Sequence, residues 1–232
     1  MAARRKKIWI TRAQPSADVT AERVRALGHE AMVEPLLAVR HLPEVQIDLE
    51  GVAALAFTSA NGVRAFAEVS GDRRLRVYAV GVATAQAARQ AGFSSVLSTD
   101  GGVEALAMGV ASRKAELMGV VLHPGATELA GDLVAELEKR GVAARGVALY
   151  ETSAARPDEV RIRALLRADA VLLHSPKAAR VLAQILRAQP APHLRVLGLS
   201  PEVLKPLARV KLAARSAPPY PLEAALLQLI NR

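Results

Sequence analysis

Ala54-Leu55-Ala56-Phe57-Thr58-Ser59-Ala60-Asn61-Gly62-Val63-Arg64-Ala65-Phe66-Ala67 has a counterpart later in the same chain. It is Ala170-Val171-Leu172-Leu173-His174-Ser175-Pro176-Lys177-Ala178-Ala179-Arg180-Val181-Leu182-Ala183, at an offset of 116 residues. Each copy opens as a short apolar run, turns at a serine (Ser59, Ser175) and continues with apolar residues at helical spacing. That pattern reads as strand, turn and helix. The likeness extends outward. Leu75-Arg76-Val77 matches Leu194-Arg195-Val196, and Glu104-Ala105 matches Glu223-Ala224, both at an offset of 119. Upstream, the strand–helix unit closing at Gly28 matches the one closing at Gly141, at 113. A period this long is no solenoid repeat; it describes two similar α/β modules. Any two α/β units look alike in a chain rich in Leu, Ala and Val, but shared serine and arginine positions do not follow from composition.

Apolar runs suited to strands occur at 7–11, 31–37, 52–58, 75–80, 94–98, 119–123, 142–150, 170–174, 194–199 and 210–214. Most are separated by stretches with helical spacing, such as Leu129, Leu133 and Leu137, or Val181, Leu182, Ile185 and Leu186. Strands alternating with helices predict an α/β fold with parallel sheets. The chain has 232 residues, 51% hydrophobic and 23% charged, enough for one large domain or two modest ones. It has no cysteine, which excludes a disulfide framework, thiol catalysis and thiolate metal sites. No apolar run is long enough for a transmembrane helix. The run Ile8-Trp9-Ile10 behind Arg4-Arg5-Lys6-Lys7 is too brief for a signal peptide. The expectation is a soluble cytoplasmic protein.

Net charge is +9, so the field of the protein favours anions. Nucleic acid is not the expected partner: apart from Arg4 to Lys7 the basic residues are dispersed. Three Tyr, three Phe and one Trp offer no platform for stacked bases. A polyanionic small molecule suits the charge as well, and so does a merely solvated basic surface.

Two lobes make a cleft, and α/β sheets bind ligands beyond the carboxyl ends of their strands. The residues there are Thr11-Arg12, Thr58-Ser59-Ala60-Asn61, Gly81-Val82-Ala83-Thr84, His123-Pro124-Gly125-Ala126-Thr127, His174-Ser175-Pro176-Lys177 and Leu199-Ser200-Pro201. Each reads as a turn opening a helix, with free N–H groups and the positive end of the dipole. Several such turns suit a ligand with many carboxylates or phosphates. Taken singly, Ser59, Ser175 and Ser200 read as helix N-caps, and Pro176 and Pro201 as first-turn prolines. Gly81 with Ala83 and Ala85 is a weak dinucleotide signal, and no P-loop is present. Neither Ser59 nor Ser175 lies in a nucleophile elbow. The histidines His29, His41, His123, His174 and His193 form no metal-binding spacing, so no metal is expected. Tyr150, in Leu149-Tyr150-Glu151-Thr152, ends a long run, either as a packing residue or at the mouth of the cleft, where its phenol could donate a proton.

In their order and spacing, these segments resemble the uroporphyrinogen-III synthase family over nearly the whole chain. They are Ile10-Thr11-Arg12, Glu34-Pro35-Leu36, Phe57 to Val63, Val80 to Ala85, the Leu133/Leu137/Gly141 helix, Tyr150-Glu151-Thr152, Ser175-Pro176 and Ala217-Pro218-Pro219-Tyr220-Pro221. The resemblance implies two flavodoxin-like parallel-sheet domains joined by a two-stranded connector. One domain would be 1–37 with 153–232 and the other 42–147, with connectors 38–41 and 148–152. The implied reaction cyclises hydroxymethylbilane, a carboxylate-rich linear tetrapyrrole, with loss of water and inversion of the last pyrrole ring. It needs no cofactor. Tyr150 matches the residue that assists departure of the hydroxyl. Arg12, Ser59, Thr84 and Ser175 match the substrate-binding surface, and Ala60, Asn61, Gly81, Pro124, Gly125 and Pro176, on the strand-end turns, complete the expected binding set. A monomer is implied, with room for transient contact with the preceding pathway enzyme. Two departures stand out: Ala130-Gly131 where many members have Arg-Glu, and Tyr220 where others have Thr. The alternative from the residues alone is a non-catalytic bilobal binding protein for an anionic small molecule.

Overall fold

The computed structural model describes residues 4–99, 101–128, 131–155 and 157–232. Its elements begin with β1 (Lys7–Ile10), α1 (Ser16–Ala26), β2 (Glu30–Val33), β3 (Leu37–His41), β4 (Val52–Phe57) and α2 (Ala60–Val69). There follow β5 (Arg76–Val80), α3 (Gly81–Gln90), β6 (Val96–Thr99), α4 (Val103–Ala111), β7 (Val120–Ala126) and α5 (Leu133–Glu138). The chain ends through β8 (Ala144–Ala154), α6 (Glu159–Leu165), β9 (Ala170–Leu173), α7 (Pro176–Ala188), β10 (Arg195–Gly198), α8 (Pro201–Leu204), β11 (Ala214–Ser216) and α9 (Glu223–Gln228). It divides into unit 1, Met1–Ala38 with Ser153–Arg232, and unit 2, Val39–Thr152.

Unit 1 holds a parallel sheet in the order β2-β1-β9-β10-β11. Numbered by their own succession, its strands run 2-1-3-4-5, the flavodoxin-like order. The sheet of unit 2 runs β3-β8-β7-β4-β5-β6, with parallel pairing from β8 to β6. With β7 as strand 1 and β8 as strand 2, this sheet too reads 2-1-3-4-5. Unit 2 therefore enters the same plan at its third strand. The sequence offsets of 116 and 119 relate strands 3, 4 and 5 of the two modules, and the offset of 113 relates strands 1 and 2. Outside this plan, β3 flanks β8. The Leu42 amide donates to Leu149 O (2.8 Å) and the Ala155 amide to Leu36 O (3.0 Å). Numbers rise along one segment as they fall along the other, so the pair is antiparallel.

Both sheets are covered on both faces, which is why their strands read as continuous apolar runs rather than alternating ones. In unit 1, Trp9, Val171, Leu173 and Val196 pack on one face with Leu182 and Leu186 of α7. Ile8, Ile10, Leu172 and Leu197 pack on the other with Val24 of α1 and Leu226 of α9. In unit 2, Leu55, Phe57 and Leu122 meet Phe66 of α2 and Ala88 of α3. Ala54, Ala56, Tyr78 and Val121 meet Leu106 of α4 and Leu133 of α5. Helices α1, α3 and α5 end alike. Gly28, Gly92 and Gly141 take positive φ (84°, 98° and 72°), and the residue after each donates back five positions along the chain. Glycine pays no Cβ penalty in that left-handed closure.

Four strand expectations need correction. The run 142–150 continues to Ala154, so Tyr150 lies within β8 rather than at its end. The run 31–37 is not one strand: β2 stops at Val33 and β3 starts at Leu37. Pro35 lies between them, without the N–H a ladder needs. The run 210–214 is displaced to β11, which starts at Ala214. The run 119–123 continues to Ala126, so Pro124 and Gly125 lie inside β7 and open no helix. The next helix starts at Leu133.

Candidate active site

Each sheet reverses direction once, between strands 1 and 3. Such switch points are where open α/β sheets hold ligands. In unit 2 the switch point lies between β7 and β4. Ser59, two residues beyond β4, is extended and caps α2, accepting the Asn61 amide at 3.1 Å. Ala60 opens the helix, and the Asn61 side chain accepts from the Arg64 guanidinium. The turn is pressed onto β7: a Cβ on Gly62 would stand 2.6 Å from Pro124 O. Tyr150 enters from β8 opposite Ala126, where the ladder slips at Gly125, and its carbonyl accepts the Thr127 amide at 2.9 Å. Its side chain is 6% exposed. Burial raises the phenol above its ordinary range, while the neighbouring Ser59 hydroxyl and Arg64 charge act the other way. The phenol is neutral at pH 7 and carries its proton.

Thus Tyr150, Ser59, Ala60, Asn61, Pro124 and Gly125 gather at one place. Gly81 and Thr84 follow β5, one strand further along the sheet. Gly81 takes φ of 70° to start α3, and Thr84 is buried on the inner face of that helix. His123 lies in the core beneath the switch point. Its Nδ1 is 2.8 Å from Ala56 O, so Nδ1 carries the proton, and Nε2 is buried without a partner. Burial lowers its pKa, against the opposing pull of that carbonyl.

In unit 1 the switch point lies between β1 and β9. The buried Thr11 hydroxyl donates to Leu172 O at 2.7 Å, tying the two strand ends together. Arg12 follows. Ser175 caps α7 through the Ala178 amide (3.2 Å), and Pro176 occupies the first turn. Arg12 is not a lone cation: its Nη1 donates to Glu223 Oε1 (2.9 Å) and to Thr20 Oγ1 (3.2 Å). Thr20 also donates to Glu223, and Arg23 pairs with the other carboxylate oxygen. His174 Nε2 stands 3.4 Å from Glu223 Oε1, outside hydrogen-bond alignment, and both its ring nitrogens are buried. Burial works against the Glu223 charge, but His174, Thr20 and Arg12 outweigh it and hold the carboxyl at about 2. Burial also lowers the His174 pKa. From the sequence, Glu223 is visible only as a repeat match to Glu104; its hydrogen-bond partners Arg12, Thr20 and Arg23 lie 211, 203 and 200 residues away, beyond the reach of any local pattern. Of the two departures, Ala130 lies outside the described residues, and Tyr220 is 70% exposed. Among the described residues no three His, Asp or Glu side chains gather to hold a metal ion, and no helix is long and apolar enough to cross a membrane.

A family model described as uroporphyrinogen-III synthase HemD matches residues 18–228. The chain belongs to the uroporphyrinogen-III synthase family. Among solved structures, this family member is similar to uroporphyrinogen-III synthetase from Helicobacter pylori. That likeness has a TM-score of 0.68 and 16% identity, and covers 98% of each chain. It is similar also to a mutant uroporphyrinogen III synthase from the extreme thermophile Thermus thermophilus, with a TM-score of 0.53, 18% identity and 98% of each chain covered. At such identities the likeness shows the fold, and it extends over both units. No curated protein matches the chain.

Proposed function

We propose that the chain is a cyclising synthase acting on hydroxymethylbilane in heme biosynthesis, with the overall chemistry of a hydro-lyase. The observation that carries the reading is the family match over residues 18–228. The non-catalytic binding-protein reading is not favoured, because that family is one of synthases.

The reaction begins with loss of the terminal hydroxyl. The pyrrole nitrogen lone pair expels it, the oxygen takes a proton and departs as water, and an electrophilic azafulvene remains. Tyr150 supplies that proton. Its phenol is neutral and buried, and the phenolate it leaves is quenched by the proton that the pyrrole nitrogen sheds. The substituted end of the last ring then attacks the azafulvene carbon. The spiro intermediate fragments and recloses with that ring turned over. Closure without inversion is the course in water, so the protein must fold the chain of rings rather than merely activate it. Positioning of this kind supplies roughly 7–11 kcal/mol where geometry is well held. Arg12 and the capped turns at Ser59 and Ser175 offer cationic and N–H donors to the carboxylates.

The test is to supply freshly made hydroxymethylbilane, oxidise the products and resolve the porphyrin isomers. Type III is the expected product. Type I alone, at the rate seen without protein, overturns the synthase reading and leaves a binding protein.

A further inference from the structure

We infer that Glu223 is the positioning residue of the unit 1 switch point: its carboxylate fixes the Arg12 guanidinium at the carboxyl ends of β1 and β9 to receive an acidic group of the tetrapyrrole. The nature of that ligand rests on the synthase reading.

Glu223 is the first residue of α9, 211 residues from Arg12. It is a point of convergence. Arg12 and Thr20 reach Oε1, Arg23 reaches Oε2, and the buried His174 edge stands against Oε1. The carboxylate takes only Nη1 of Arg12. Among the described residues Nε and Nη2 donate to no partner, and neither is a buried unpartnered atom. A guanidinium is a rigid planar fork, so holding one nitrogen from two sides sets the plane in which the others are offered. The charge of Arg12 is partly balanced, while its remaining donors stay open.

The second module supplies an internal control. At the offset of 113, Gly125 stands where Arg12 does; at 119, Glu104 stands where Glu223 does. Glu104 also lies in the first turn of its helix, α4, yet it is exposed and has no hydrogen bond or ion pair among the described residues. A helix dipole accounts for an acidic residue at either place. It does not account for the convergence on Glu223, which occurs in the module that has the arginine.

Four proteins test this: wild type, E223Q, R12A and the double variant. Turnover of hydroxymethylbilane gives KM and kcat, fluorescence titration with uroporphyrin III gives Kd, and thermal melting reports folding. A hydrogen bond to a charged group is worth enough to predict that E223Q raises KM and Kd about tenfold. The value of kcat should stay within about twofold, and in the R12A background the second change should add less than about twofold. An E223Q protein with wild-type KM and Kd overturns the proposal. So does a loss that adds in full to that of R12A, the result of a merely structural staple. If E223Q does not fold, E223D, which keeps the charge but shortens its reach, is read in the same assays; wild-type values there overturn the proposal. A wild-type protein that makes no type III isomer defeats the synthase reading, and the uroporphyrin titration still decides Glu223. Failure of the wild type to bind that probe as well overturns both.

Discussion

A phenol enclosed by the α2 and α3 face of unit 2, beside a serine hydroxyl, holds its proton throughout the neutral range. If Tyr150 delivers that proton, Tyr150→Phe keeps the ring packing and removes the donor. The expected result is kcat lowered by about 10²-fold, the lower end of general acid contributions, with KM within about threefold. Steady-state kinetics with hydroxymethylbilane make the measurement, and an unchanged kcat removes the role. The turns at Ser59 and Ser175 were legible in the sequence as the places where strands give way to helices, whereas Tyr150, read as the end of a run, lies inside β8. The cap reading of both serines holds as well: each accepts an amide of its own helix. Arg12 was legible as a cation after the first strand, but its partner was not. An Arg–Glu pair separated by 211 residues is fixed by the packing of α9, and no spacing rule encodes that.

At the scale of elements, the position of α2 depends on one missing side chain. The helix starts so close to β7 that Gly62 faces Pro124 O with room for a hydrogen only. Gly62→Ala must push the first turn of α2 away from the strand, and with it Ser59 and its contact to Tyr150. A loss of about 1–3 kcal/mol in stability is expected, as for other overpacked sites, together with reduced turnover. Gly71→Ala is the control, since no atom lies within 4 Å of its added Cβ. Equal denaturation midpoints for the two variants would contradict the close approach. Periodicity located the elements, but their ends were set by single residues. Pro35 divided a run that hydrophobicity alone joins. β7 ran on through Pro124 and Gly125, because its neighbour β8 still pairs there. Apolar pattern gives the strand, and hydrogen-bond partners on the adjacent strand decide where it stops.

The long-offset repeat carried the architecture of the whole molecule, but not the permutation. Similarity of 54–67 to 170–183 does not say that one module begins at its first strand and the other at its third; the pairing of β7 with β4 says so. Each core cluster is confined to one unit, and unit 2 is continuous in sequence. The excised segment 39–152 is therefore expected to melt cooperatively with an α/β circular dichroism spectrum, and a featureless melt would count against its independence. Acid should then act on the full chain in two stages. His123 and His174 are held neutral by burial, with pKa values below the ordinary 6.5. Unfolding frees them to bind protons, so stability is complete above about pH 6.5 and declines as pH falls below it. Glu223 has the opposite sign of preference. Its folded value near 2 lies under the usual 4.5, so its contribution is present above 4.5 and is lost between 4.5 and 2. That contribution is at most about 3 kcal/mol by linkage. Asp72, Glu136 and Glu151 are lowered too, but their pairs lie at the surface and add little. Urea midpoints from pH 8 to 3 should fall first across the histidine window and again below 4.5. E223Q should flatten the second decline and deepen the first, because the Glu223 carboxylate raises the His174 pKa and its loss leaves that imidazole still harder to protonate in the fold. A midpoint that is level from pH 8 to 5 would show that neither imidazole is held neutral by the fold.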